Sequence, residues 1–152
     1  MAVDVRQELN KFRLLRYRQA VERRDAVRVV AVAATQMTQT EIAHTLGISQ
    51  PAVSDMVKKA PRLAIPEGFS GAGPYEIAQR YAAGLIDRAQ VIDELSRWEY
   101  APTQPTDGVD WVTADDPEQT FAAVVRAADD GLLDDATYEA ILDARDALDH
   151  TR

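Results

Sequence analysis

Residues 38–59, TQTEIAHTLGISQPAVSDMVKK, write two short helices around a glycine turn. Thr38 and Glu41 have the T-x-x-E spacing of a capping box, in which hydroxyl and carboxylate each satisfy a free backbone N–H at a helix start. A helix therefore begins near Gln39. It carries Ile42, Ala43 and Leu46 as an apolar set and stops at Gly47, which takes the left-handed conformation that ends helices. Ile48 is expected to plug the turn. Ser49 is placed to cap a second helix, Pro51 is tolerated in its first turn, and Val53, Met56 and Val57 give that helix an inward face.

The pattern Q-T-E-I-A-x-x-L-G-I-S-Q-x-A-V-S, met from Gln39 to Ser54, resembles the helix-turn-helix of bacterial and phage repressors of the Cro and repressor type. The match covers about twenty residues. Ala43 would let the two helices approach, and Ile48 with Val53 would fill the angle between them. The competing reading is an ordinary pair of helices that packs a core and touches nothing.

The charge distribution agrees with the resemblance. Residues 1–62 hold 11 Lys/Arg against 6 Asp/Glu, a net of +5, while residues 63–152 hold 6 against 19, a net of −13, and together they give the overall −8. An acidic protein usually argues against nucleic acid, but here the basic excess lies with the helix-turn-helix. There is no cysteine, so disulfide and thiolate chemistry are excluded. His44 and His150 are too isolated to seed a metal site. No apolar run approaches the ~20 residues of a bilayer span, and the first residues lack the apolar core of a signal peptide, so no membrane association and a cytoplasmic location are expected.

Around the central stretch the chain reads as all-α. Residues 4–24 contain neither glycine nor proline, with Val5, Leu9 and Phe12 on one stripe and Leu14, Tyr17 and Val21 on another. Arg6, Lys11, Arg13, Arg16, Arg18, Arg23 and Arg24 fill much of the remainder. They are either a solvated face or, beside a helix-turn-helix, phosphate contacts accompanied by a dimer-forming stripe. Residues 25–36 are rich in β-branched valine, yet Val27, Val30, Ala31 and Ala34 fall at helical spacing, and a helix is expected there, either continuing the basic helix or breaking from it near Arg24 and Asp25.

Residues 1–60 thus form the expected DNA-binding domain, 61–74 a Pro/Gly linker, and 75–152 an acidic helical region of two αα-hairpins, 75–100 and 117–149. Gly84, Leu85, Ile86 and Asp87 in the first hairpin correspond to Gly131, Leu132, Leu133 and Asp134 in the second, 47 residues on. Trp111, between Val109 and Val112, is expected to plug the protein's own helices, and Pro117 to start a helix capped by Asp116. The carboxylates Asp115, Asp116, Asp129, Asp130, Asp134 and Asp135 cluster at helix ends. Caps and the helix dipole account for those at N-termini but not for Asp129 and Asp130.

No phosphate loop, nucleophile elbow or paired catalytic carboxylate is present in the pattern, so neither an enzyme nor a cofactor is expected. The resemblance implies sequence-specific binding of double-stranded DNA, with the helix from Ser49 to Lys59 in the major groove and a two-fold homodimer on a palindrome. Carried over, Gln50, Pro51 and Ser54 would meet base edges, with Gln50 pairing bidentately to adenine. Asp55 departs from the Lys or Arg often found at its place, and would either accept from cytosine or weaken phosphate affinity. Gln39, Thr40, Ser49, Lys58, Lys59 and Arg16 would meet the backbone.

Three roles for such binding stay open. The first is a transcriptional repressor whose acidic helices oligomerise or sense a signal. The second is an antitoxin-like adaptor whose acidic helices bind a basic partner protein through residues 75–152 while the head regulates its own operon. The pattern R-Y-x-x-G-x-I then V-I-x-x-L, from Arg80 to Leu95, resembles helical segments of small bacterial antitoxins, and no residue roles carry over. The third is an accessory protein of recombination or a mobile element.

Overall fold

Asp4 starts the first helix by accepting hydrogen bonds at Oδ1 from the Arg6 and Gln7 backbone N–H groups, at 3.0 and 3.3 Å. In this computed structural model, which describes residues 2–102 and 119–151, that helix (α1, Val5–Ala33) runs unbroken for 29 residues. It passes straight through the valine-rich segment. The helical alternative prevails there because its spacing places Val30 against Ile42, Ala43 and Val53, a contact that a strand at this position would have no sheet to replace.

All regular structure among the described residues is helical. After α1 come α2 (Gln39–Leu46), α3 (Gln50–Lys59), a 3-10 turn (Ala60–Leu63), α4 (Pro74–Ala82), α5 (Arg88–Arg97), α6 (Ala122–Asp129) and α7 (Asp135–Asp149). The caps are local chemistry. Asp87 accepts from the Gln90 N–H at 2.8 Å to begin α5, and Asp134 accepts from the Thr137 N–H at 3.2 Å to begin α7. Three helices end in one way: Gly47, Gly84 and Gly131 adopt φ of 68°, 76° and 79°, and the next residue's N–H reaches back to the carbonyl of Ala43, Arg80 or Ala127. That 6→1 bond satisfies carbonyls that would otherwise be orphaned at a helix end.

Two apolar cores form. The smaller joins α1, α2 and α3 through Val30, Ile42, Ala43 and Val53, with Met56 and Val57 packed on its edge. The larger gathers Ile77, Val91, Leu95, Trp98, Val124 and Ile141 from all four later helices. Within it α5 packs chiefly on α7 and α4 on α6, so the two segments expected as separate hairpins interlock. Helix α1 belongs to both cores: Val21 is fully buried and Tyr17 packs on the larger cluster.

The expected linker is fastened along its length. Phe69 meets Trp98 edge-on with centroids 4.8 Å apart, Ser70 donates both its N–H and its hydroxyl to the buried carboxylate of Glu94, and Arg97 donates to the Gly68 carbonyl. Gly71 lies where a Cβ would fall 2.8 Å from Glu76 Oε2, so the close approach excludes a side chain. The expectations placed on Trp111, on Asp115 and Asp116 and on the helix start at Pro117 lie outside the described residues.

Candidate nucleic-acid interface

Helices α2 and α3 are built as their residues dictate. Thr38 Oγ1 accepts from the Glu41 N–H at 3.2 Å while Glu41 Oε2 accepts from the Thr38 N–H at 2.9 Å, which closes the capping box. Ser49 Oγ accepts from the Ala52 N–H at 3.2 Å, and Pro51 stands in the first turn of α3. Val53 is fully buried beneath that turn. Its burial, worth about 1.5–3 kcal/mol, anchors α3 on α1 and leaves the opposite side of α3 in water. One expectation fails: Ile48 is 40% exposed, and Leu46 is exposed as well. Helix α1 covers the Val53 side of the angle between α2 and α3 and leaves Ile48 outside it, while Leu46 lines an open groove beside Ala26, Val29 and Ala33.

Gln50 Nε2 donates to Gln39 Oε1 at 2.8 Å, joining the first residues of the two helices. Each amide thereby fixes the other's rotamer and keeps a free donor or acceptor. Thr40, Ser49, Gln50 and Pro51 are exposed together around the N-terminus of α3, and Ser54 is half-buried one turn on. That N-terminus carries no acidic residue in its first turn, so the positive end of the helix dipole is uncompensated. Asp55 is bound to Lys59 at 2.8 Å, both side chains well exposed. The pair cancels most of the charge that either would offer, and among the described residues Lys58 is the cation of α3 left without an acidic partner.

Arg16 is not brought to this group. It is exposed, but lies about 21 Å along α1 from Val30, which with Ala33 packs α1 on the α2–α3 pair. The other basic residues of α1 divide in a way the sequence did not disclose. Lys11 and Arg18 form exposed pairs with Glu8 and Glu22, which contribute little. The Arg13 guanidinium lies against Gly131, at the C-terminal end of α6.

Arg24 and Arg28 turn toward the acidic half. Arg28 binds Glu76 at 2.8 Å, the Leu63 carbonyl at 2.7 Å and Asp25 at 2.9 Å, while Arg24 binds Gln79 at 2.6 Å and approaches Glu76 at 3.7 Å. Arg80, on α4, completes the cluster with Asp25 at 2.6 Å and Glu76 at 3.4 Å. Burial opposes ionisation of Asp25, but hydrogen bonds and charge from Arg80 and Arg28 outweigh it and hold the carboxyl below its usual range. The cluster is the polar seam between α1 and the later helices. Only the i, i+4 spacing of Glu76 with Arg80 and of Arg24 with Arg28 hints at it in sequence.

The C-terminal carboxylates also find reasons. Asp130, at the end of α6, accepts from the Tyr75 hydroxyl at 2.6 Å and faces Arg126 at 3.8 Å, and burial with that hydrogen bond pushes the Tyr75 phenol up to about 12. Asp134 is held below the usual carboxylate range, first by the Thr137 hydroxyl. Along α7, Asp135, Glu139, Asp143 and Asp146 stand exposed at spacings that keep them on adjoining faces.

Among the described residues there is no cluster of three or more metal-ligating side chains, and no helix is long and apolar enough to cross a membrane. No family model, curated protein or solved structure matches the chain.

Proposed function

We propose that the chain is a sequence-specific double-stranded DNA-binding regulator that acts as a homodimeric repressor, with α2 and α3 as its helix-turn-helix and α3 in the major groove. The observation that carries this reading is the exposed N-terminus of α3, capped by Ser49 and headed by the Gln50–Gln39 pair. A glutamine held by a second glutamine keeps one edge for a base while the pair spans toward phosphate, an arrangement suited to adenine in the major groove. Ser49 and Thr40 flank it as phosphate contacts, Pro51 and Ser54 lie toward the bases, and Lys58 supplies charge at the far end of α3.

The test is selection of bound duplexes from a random pool, followed by comparison of the selected site with a scrambled one. The expected result is an enriched palindrome, for which Gln50→Ala loses about 1–3 kcal/mol of discrimination per half-site. An unchanged ratio between selected and scrambled DNA would remove Gln50 from the reading. Failure to enrich any sequence would remove the reading itself.

One observation favours an additional role for the acidic half. Among the described residues, Asp135, Glu139, Asp143 and Asp146 of α7 are exposed and make no ion pair, while Asp134 before the helix is held by hydrogen bonds from the Thr137 and Tyr81 hydroxyls. Such a face suits a basic protein partner, as in an adaptor whose head regulates its own operon. Co-expression with the products of adjacent reading frames checks this: a complex dispersed by salt and weakened by Glu139→Lys with Asp143→Lys supports it, and no complex with any neighbouring product removes it.

A further inference from the structure

Helix α1 is much longer than either core requires, and among the described residues one face of it has no packing partner from Val5 to Glu22, meeting the edge of the small core only at its C-terminal end, where Ala33 packs. Val5, Phe12, Gln19, Ala26 and Ala33 recur every seven residues on that face, and Glu8, Leu15, Glu22 and Val29 recur every seven between them. Their alternating steps of three and four have the a/d spacing of a two-stranded coiled coil, with six of the nine positions apolar. The seam is open to water: Val5 is 66% exposed, Phe12 60%, Leu15 48% and Val29 67%. Tyr17, Val21, Arg24 and Arg28, which face the body of the protein, lie on the opposite side.

At its C-terminal end the seam opens into an apolar groove of about 290 Å³, where Ala26, Val29 and Ala33 face Met37, Leu46 and Met56. The groove offers a ligand no polar group to hold, since Thr45, its one polar side chain, donates its hydroxyl to the Glu41 carbonyl. Small molecules are usually oriented by a few convergent polar groups, whereas an apolar side chain needs none. The occupant is therefore read as a side chain from another helix.

We infer that α1 pairs antiparallel with α1 of a second copy of this chain, and that Phe12 of each copy fills the groove beside α2 of the other. The seam is complementary to itself read backwards. Aligning residue i with residue 41−i of the second copy sets Phe12 against Val29, Leu15 against Ala26 and Glu8 against Ala33, large side chains meeting small ones. At the centre Gln19 meets Glu22, an amide donor against a carboxylate.

A parallel pair instead sets Glu8 on Glu8 and Glu22 on Glu22, two like-charge layers inside one seam. Charge thus selects the direction. The two-fold axis crosses near residues 20 and 21, which sets the two Val30 positions about 29 Å apart along the pair, of the order of the ~34 Å that separates successive major-groove faces. The inference rests on the dimeric reading above and specifies its interface.

Dimerisation is measured without DNA, so its outcome is independent of whether a binding sequence is found. Light scattering on the purified chain should report a dimer, weakened by roughly a hundredfold or more in Phe12→Asp and in Val29→Asp, with helicity unchanged because both side chains are exposed. The chain has no cysteine, so disulfide trapping gives the direction. The double variant Leu15→Cys, Ala26→Cys should cross-link between copies, because those positions meet in the antiparallel pair. They are about 16 Å apart on one helix, beyond the reach of a disulfide within a copy. Either cysteine alone lies about 16 Å from its counterpart and should not cross-link.

Efficient trapping of Leu15→Cys alone would overturn the antiparallel arrangement. A dimer indifferent to both aspartates would overturn the interface while leaving a dimeric regulator standing. A monomeric wild-type chain at micromolar concentration would overturn both.

Discussion

Replacing Glu76 by glutamine keeps the shape of the side chain and removes the one charge on which three guanidinium groups converge. Glu76 is 5% exposed, with Arg28 at 2.8 Å, Arg80 at 3.4 Å and Arg24 at 3.7 Å. At an effective dielectric near 20, each such pair is worth about 4 kcal/mol of gross attraction. Most of the total was offset when the ions left water. In Glu76→Gln three cations remain with, among the described residues, only Asp25 to answer them, and Arg28 and Arg80 are too enclosed to recover full hydration. Arg24, about a third exposed, does recover some.

Breaking one side of a buried pair typically costs ~3–5 kcal/mol, and the escape of Arg24 places this case near ~3 kcal/mol. The expected loss is thus about 3 kcal/mol in urea unfolding followed by far-UV circular dichroism. A double-mutant cycle with Arg28→Met should return a coupling of about 1–3 kcal/mol. Under the proposed function, DNA affinity of the folded fraction should not change, because no member of the cluster lies on α3. A loss below about 1 kcal/mol, or a cycle with no coupling, would show that the cluster does not hold α1 to α4.

Asp25 supplies a pH signature for the same seam. Its folded-state carboxyl is depressed, so the stability it contributes is present above the unfolded value and is lost as pH falls below 3.8 through the folded value. Thermal melts of wild type and Asp25→Asn should differ by a constant amount near neutral pH and converge under strong acid; a gap that persists there contradicts the assignment. At the turn between α2 and α3, Gly47→Ala should cost about 1 kcal/mol from the left-handed backbone alone, since a Cβ built there meets no atom within 4 Å. A cost several times larger, read by the same unfolding assay, would mean that the turn packs against a further surface.

What the sequence disclosed follows the range of the physics involved. The capping box at Thr38 and Glu41, the caps at Ser49, Asp87 and Asp134, and the turns at Gly47, Gly84 and Gly131 depend on residues within about five positions of one another. Each was readable as written. Ile48 misled because an apolar residue in a turn is buried only if a third element covers it, and α1 lies on the other side. The interlocking of α4 to α7 and the meeting of Arg28 with Glu76, 48 residues on, depend on how helices are placed, for which no local pattern exists. The Gln39–Gln50 contact is intermediate: both residues were singled out, but their bond follows only once the angle at Gly47 is known.

The charge division near residue 62 also changes meaning once the pairs are known. Of the basic residues that made the first half cationic, Arg24 and Arg28 are committed to Glu76, while Lys11, Arg18 and Lys59 have acidic neighbours on their own helices. Arg13 is turned toward α6. Arg6, Arg16, Arg23, Lys58 and Arg62 remain without an acidic partner among the described residues, and of these only Lys58 shares a helix with Gln50. A non-specific binder derives nearly all of its affinity from phosphate neutralisation. With so few free cations on α3, the helix proposed to enter the groove, and an acidic half that repels phosphate, the chain is poorly built for that task. Within the proposed function, affinity has to come from base edges met at the N-terminus of α3 and from two such helices acting together, which makes the pairing of α1 a requirement for recognition.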